Sequence, residues 1–409
     1  MRVVSEDTLT RHLSALPTLA PRVLAGGNAG TPWQALRLLD SALPSYRLFM
    51  LNAAPGVPER DGVVLETPFV GAGMRDRPGL QYLPCRLSLV PSMLRRSTPP
   101  DVVLISTSLP RAGTVSLGIE VNILPAAIEA VRSRGGLVVA QLNRHVPYTY
   151  GDAVVDVEDI DLAIEVDQPL PELLTRPPDE VSRRIADQVA TLVPPSATLQ
   201  LGIGGVPDAV LVALLARRGL RVWSEMISDG VLALEREGAL DPEHPVVTSF
   251  AAGSRELYDW LDGNPRVVFS RTERTNDPAL IARQPAMTSI NSALQVDLFG
   301  QANASYVRGR PYSGFGGQTD FIVGALHAYG GTSVIALPSW HARAGVSTIV
   351  PTLFEPATSF QQSFVVTDQG VAPLWGASQR EQTRALIDNA AHPDARPELR
   401  EHASRMGLA

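Results

Sequence analysis

The run Ala197–Ile203, ATLQLGI, is short, apolar and β-branched, and it stops at Gly204 and Gly205, as a buried parallel strand does. A helix should follow. Pro207 falls where a first-turn proline is tolerated, and Ala209, Val210, Val212, Ala213, Leu214 and Leu215 give an apolar turn pattern that ends at Arg217, Arg218 and Gly219. LRVWSE, Leu220–Glu225, then reads as a second strand. A β-α-β unit runs its two strands parallel. The glycine loop and Glu225 should therefore lie at one carboxyl edge of the sheet, where open α/β sheets bind ligands.

Several chemistries use such an edge. Glycines after a strand, a helix, and a carboxylate about twenty residues on are the ingredients of a dinucleotide fingerprint. Gly202 and Gly204 fit its first two glycines, but Pro207 stands where a third Gly or Ala is needed, so a nicotinamide enzyme matches incompletely. The other chemistry is covalent. A glutamate is ionised at neutral pH without a general base and attacks an activated acyl group directly, provided backbone N–H groups meet the developing oxyanion. Gly202–Gly205 and Gly314–Gly317 both allow close backbone approach. The ordinary alternative is that Glu225 accepts hydrogen bonds at a strand end and the glycines only make turns.

The rest of the chain reads as two α/β halves. Strands are expected at Tyr46–Leu51, Val102–Ser106, Leu137–Leu142 and Asp161–Val166, with a helix over Pro125–Arg134. The proline-rich stretch Gln168–Glu180 reads as a linker before a helix at Val181–Leu192, which sets domains at 1–180 and 181–409. Further strands are expected at Arg266–Ser270, Ser333–Leu337 and Ser363–Thr367, with a closing helix over Gln379–Ala390.

Ordered segments along nearly the whole chain resemble the acetyl-CoA hydrolase/transferase family, the class I coenzyme A transferases that include acetate and 4-hydroxybutyrate CoA-transferases. They include YLPCRLSLVPSML from Tyr82, SLGIEVN from Ser116, LQLGIGGVPDAV from Leu199, SEMISDG from Ser224, TNDPALIA from Thr275, INSALQVDLFGQANA from Ile290, GFGGQTDF from Gly314 and VVTDQGVAPLWG from Val365. The resemblance implies two related, mainly parallel α/β domains, the second carrying the nucleophile. It implies that Glu225 attacks an acyl-CoA to give an acyl-glutamyl anhydride and then a glutamyl-CoA thioester, which a second carboxylate resolves in ping-pong fashion. Gly317 matches the backbone N–H of the oxyanion site, with an amide near Val206 as its companion. The CoA-binding set it implies is Gly202, Gly204, Gly205, Val206, Asn276, Gly316, Gly317 and Arg343. The partners are an acyl-CoA and a small carboxylate, with a homodimer as the assembly and no cofactor beyond coenzyme A. An acyl-CoA hydrolase using the same glutamate is the alternative, and a CoA-binding sensor is a third.

Departures from the family pattern matter too. All 35 basic residues are Arg, so the Lys that often meets CoA is absent, and Arg343 in SWHARAG stands in for it. Trp340 and Trp375 read as core aromatics, the alternative being an aromatic acyl or pantetheine surface. The net charge of −7 argues against a nucleic-acid surface. No apolar run reaches membrane-spanning length and the first residues lack a signal-peptide core, so a cytoplasmic location is expected. Cys85 is the one cysteine and reads as a small buried residue; the seven histidines have no metal-ligand spacing, and the acidic stretch Asp152–Asp167 reads as a half-exposed strand face. No metal is expected. AGGNAGTP, Ala25–Pro32, and Ser116–Gly118 are candidates for the acceptor side, with simple turns as the alternative.

Overall fold

The computed structural model describes residues 1–174, 177–357 and 361–409. The chain forms two compact units: Met1–Leu174, Val247–Thr275 and Pro311–Gly316 make the first, and Thr175–Val246, Asn276–Arg310 and Gly317–Ala409 the second. The expected linker and boundary lie near the first crossing, and residues 175 and 176 of that linker are outside the described residues. Two later segments nevertheless fold into the first unit.

The first unit holds an eight-stranded sheet, in spatial order Arg2–Val3, Leu162–Val166, Leu137–Asn143, Val102–Thr107, Arg22–Ala25, Tyr46–Phe49, Val63–Thr67 and Gln81–Tyr82. Every pairing is parallel. All six residues of Val102–Thr107 are buried, and Val102–Ile105 read as an unbroken apolar run rather than an alternating one. Helices Glu6–Ser14 and Trp33–Ala42 bury Leu9, Leu13, Leu36 and Leu39 in a core with Val23, Leu48 and Leu104. Asp161–Val166 is not the alternating half-exposed strand expected: Leu162, Ala163 and Ile164 are all buried, so both faces of this parallel strand are covered at that point. The strand expected at Arg266–Ser270 is Val267–Phe269, and it pairs with Tyr150–Gly151 in this unit rather than in the second half. Cys85 is half-buried, not buried, since it lies in irregular chain past the edge strand Gln81–Tyr82.

The second unit is built on a six-stranded sheet ordered Arg221–Val222, Thr198–Gln200, Met287–Asn291, Thr332–Ala336, Phe364–Val366 and Val371–Pro373. Only the last pair is antiparallel. Ile335, Leu337, Val365, Leu386 and Leu399 belong to its core. The expected closing helix is α-helical over Gln379–Ala385, continues as a π-turn over Leu386–Ala390, and is followed by a further helix, Arg396–Arg405, that the sequence reading passed over. Trp375 is 63% exposed and so is not a core residue, whereas Trp340 is half-buried against the His392 ring at 4.8 Å. Trp375 follows the edge strand Val371–Pro373, past the ladder that would have covered it.

Candidate active site

The β-α-β unit forms, with shorter strands than the sequence implies. Thr198–Gln200 leaves the ladder at Leu201 because Ser224 takes over that residue's backbone: its Oγ donates to the Leu201 carbonyl at 3.1 Å and accepts from the Leu201 N–H at 3.3 Å. One side chain thus ties the start of the glycine loop to the residue before Glu225. Gly204, at φ +115°, holds a conformation that L side chains rarely adopt and turns the chain into helix Gly205–Ala213. Gly204 and Gly205 are exposed and Gly202 is half-buried in this loop, while Val206 is buried in the first helical turn with Pro207.

Glu225 follows Arg221–Val222 at the carboxyl end of that strand. Two packed helices present their amino ends to it. Asp277 caps helix Pro278–Ile281 by accepting from Ala279 N–H at 2.7 Å, which places Asn276 just ahead of that helix. Gly317 is the N-cap of helix Gln318–His327. The helices approach so closely that a Cβ on Gly324 would lie 2.4 Å from Ile281 Cγ2.

Asn276 and Gly317 converge on the carboxylate. Asn276 Nδ2 donates to Glu225 Oε2 at 2.9 Å, and the Gly317 N–H donates to the same carboxylate. A Cβ on Gly317 would stand 1.9 Å from Glu225 Oε2 and 2.2 Å from Asn276 Nδ2, so only glycine leaves room there. Burial pushes the Glu225 carboxyl up to about 7; the Asn276 amide opposes the rise, the nearby Asp320 carboxylate adds to it, and the Gly317 N–H opposes it. Asn276 itself is fully buried.

Other candidates are placed differently. Gly316 belongs to the first unit, where its carbonyl accepts from Leu87 N–H at 2.9 Å and its φ is +53°. Arg343 sits in the exposed turn of the hairpin formed by Trp340–His341 and Val346–Ser347, and among the described residues it makes no hydrogen bond or ion pair. In the first unit, the Ser116 hydroxyl is a buried hub: it donates to Thr149 and accepts from the Gly118 and Thr149 N–H groups at 3.1 and 2.9 Å, the work of a turn. Asn28, in AGGNAGTP, donates to Glu120 Oε2 at 2.8 Å. Sequence reasoning missed Ser224 and Asp320. Both lay inside quoted motifs, and the first-turn position of Asp320 after Gly317 was the available signal.

A desolvated carboxylate held by two neutral donors at the carboxyl edge of a parallel sheet defines a candidate site for attack on an activated carbonyl. Residues 59–172 match the N-terminal domain and residues 253–403 the C-terminal domain of acetyl-CoA hydrolase/transferase. A 4-hydroxybutyrate coenzyme A transferase of Clostridium kluyveri is 40% identical over 346 residues, which is 81% of this chain and 80% of that protein. The crystal structure of RipA from Yersinia pestis superposes with a TM-score of 0.93 at 27% identity, covering 100% of this chain and 98% of that one. A 4-hydroxybutyrate CoA-transferase from Porphyromonas gingivalis does so with a TM-score of 0.84 at 32% identity, covering 99% and 98%. An acetyl-CoA hydrolase of Kluyveromyces lactis is 35% identical over 51% of this chain and 40% of its own length. The chain belongs to the acetyl-CoA hydrolase/transferase family, a family of enzymes.

Proposed function

We propose that this protein moves coenzyme A between an acyl-CoA and a small carboxylic acid, with Glu225 as the covalent nucleophile. The observation that carries the reading is the Glu225 carboxylate itself, desolvated and held by Asn276 Nδ2 at 2.9 Å and by the Gly317 N–H. Glu225 attacks the thioester carbonyl and expels CoA thiolate, giving an acyl-glutamyl anhydride. The thiolate then attacks the glutamyl carbon, giving glutamyl-CoA and releasing the first acid; a second carboxylate runs both steps in reverse. Each intermediate is an activated acyl, so the sequence needs neither ATP nor metal. The Gly317 N–H serves the oxyanion, with an amide near Val206 as the second donor. Gly202, Gly204, Gly205, Gly316 and Arg343 take part in holding CoA, with Arg343 supplying a forked donor to phosphate.

The enzyme works as a cytoplasmic homodimer in this proposal, a state that light scattering of the purified protein checks. Among the described residues no helix is long and apolar enough to cross a membrane. The hydrolase reading draws on relatives named acetyl-CoA hydrolase, of which the Kluyveromyces lactis protein aligns with about half of this chain. The test is peptide mass spectrometry after mixing enzyme with acetyl-CoA and reducing any thioester with borohydride. A CoA-bearing or reduced adduct at Glu225, with a new CoA ester formed only when a carboxylate is added, supports the transferase. CoA release that ignores added carboxylate supports the hydrolase, and no adduct across several acyl-CoAs removes the nucleophile.

A further inference from the structure

A cavity of about 280 Å³ opens in the second unit beside the turn over 297–301. Its lining includes Phe299, Gly300, Gln362, Trp375, Gln379 and Gln382, and no lining residue carries a charge. The cavity and Glu225 lie at opposite edges of one sheet. Gln362 precedes the strand Phe364–Val366, and the Leu374 and Trp375 N–H groups donate to the Ser363 carbonyl at that same amino end. Glu225 follows the carboxyl end of Arg221–Val222, and every pairing between these two strands is parallel.

Three of the glutamines are held the same way round. Gln362 Nε2 donates to the Gly300 carbonyl at 2.5 Å, Gln379 Nε2 to the Leu298 carbonyl at 3.3 Å, and Gln382 Nε2 to the Leu374 and Ala377 carbonyls at 2.9 and 3.0 Å. A carbonyl only accepts, so each amide turns its nitrogen to the backbone and is left with its oxygen to offer. Among the described residues no donor reaches any of the three oxygens. Gln362 is 2% exposed, and its Oε1 is therefore a buried acceptor without a partner, a costly state that folds normally relieve with a donor. A Cβ on Gly300 would stand 3.6 Å from Gln382 Oε1, so that oxygen faces space which glycine leaves open.

The rim is aromatic. Trp375 is 63% exposed and Phe299 40%. Polar groups that only accept, beside exposed aromatic faces, select a flat cation that only donates. A guanidinium is that group: it carries N–H donors and no acceptor, and its plane stacks on aromatic rings. Adenine fits poorly, because ring-nitrogen acceptors flank its one amino group and would meet the amide oxygens.

We propose that this cavity binds a small guanidinium-bearing molecule, which donates to the glutamine oxygens and lies against Trp375. The binding is reversible and separate from the chemistry at Glu225.

The experiment is isothermal titration calorimetry of the full chain with butylguanidinium at fixed ionic strength, with butylurea and tetramethylammonium as comparators. Butylurea keeps the plane but loses the charge and brings an acceptor; tetramethylammonium keeps the charge but has no N–H. Butylguanidinium should bind saturably at one site per chain, at least about tenfold tighter than either comparator. Trp375→Ala, a change at an exposed side chain, should weaken it about fivefold. Gln382→Met keeps the length and removes the acceptor, and should weaken it about tenfold. If Gln382→Met does not fold, the comparators and Trp375→Ala decide the matter. Absence of saturable binding would leave the Gln362 oxygen to water and overturn the inference, as would butylurea binding equally well or Trp375→Ala binding unchanged. Displacement by CoA would assign the cavity to the nucleotide end of that substrate, and binding of N-acetylarginine amide with exclusion of butylguanidinium would assign it to a partner's arginine; either result also overturns the inference.

Discussion

Asn276 Nδ2 meets Glu225 Oε2 at 2.9 Å across 51 residues of chain. That hydrogen bond favours the charged carboxylate against the burial that disfavours it, so Asn276 increases the share of Glu225 that is ionised at neutral pH.

Glu225→Gln should lower CoA transfer by at least about a thousandfold, the scale on which loss of a covalent nucleophile is felt. The same change removes a poorly solvated charge on a half-buried side chain. With the carboxyl raised from its ordinary 4.5 to about 7, the variant should be more stable than wild type above pH 7 by on the order of 3 kcal/mol. Exchange kinetics and thermal melts on one sample check both, and a variant that is dead and also less stable contradicts the second.

The pH profile follows from the same shift. In the proposed reaction only ionised Glu225 attacks, so kcat/KM should rise with pH, reach half its plateau near 7 and stay level above. Between 4.5 and about 7 the folded protein binds the proton more tightly than the unfolded chain, so the stability this carboxyl contributes is full at low pH and lost as pH rises through 7. Asn276→Ala removes a donor to the anion and should move the acid limb to higher pH; a limb that stays put would dissociate Asn276 from the nucleophile.

Gly317→Ala puts a methyl where Glu225 Oε2 and Asn276 Nδ2 already stand, at 1.9 and 2.2 Å. The carboxylate must shift, and an ångström-scale displacement of a reacting group costs about a hundredfold in rate. Turnover should fall by that factor while circular dichroism stays that of the wild type.

Arg343→Ala should raise the KM for acyl-CoA and leave kcat and the melting temperature within error, since the residue is exposed and without a partner among the described residues. An unchanged KM assigns phosphate binding elsewhere.

Glu66 is 3% exposed and meets Arg22 Nε at 2.8 Å and Arg47 Nη1 at 2.5 Å. Burial opposes its charge, but the two guanidiniums outweigh that and hold the carboxyl below the usual range. Glu66→Ala leaves the partly exposed Arg22 and Arg47 guanidiniums without the buried carboxylate that joins them and should cost about 1–3 kcal/mol by denaturant titration; no measurable loss would show that solvent replaces the carboxylate fully.

The placement of Glu225 was legible because its signal is local: a strand, glycines, a helix and a strand ending in a carboxylate lie within Ala197–Glu225. Asn276 was not, since beside Asp277 it reads as a turn pair, and only the packing of helix Pro278–Ile281 on Gln318–His327 delivers it to Glu225. The partition of the chain into units escaped for a related reason. Val267–Phe269 is as good a strand in either half, and nothing in its own residues reveals that its partner is Tyr150–Gly151. Trp375 misled because aromatic residues usually mark interiors, whereas this one follows an edge strand.

The crossings between units also govern how the protein is made. The first unit draws on Val247–Thr275 and Pro311–Gly316, holding Ser249 against Val121 and Asn122, and Gly253 against Leu173. A ribosome must therefore release more than 300 residues before that unit can close, by which time much of the second unit's chain is already outside. Neither unit can be excised by a single cut, and a truncated chain from residue 181 onward would carry two segments whose proper partners were never synthesised.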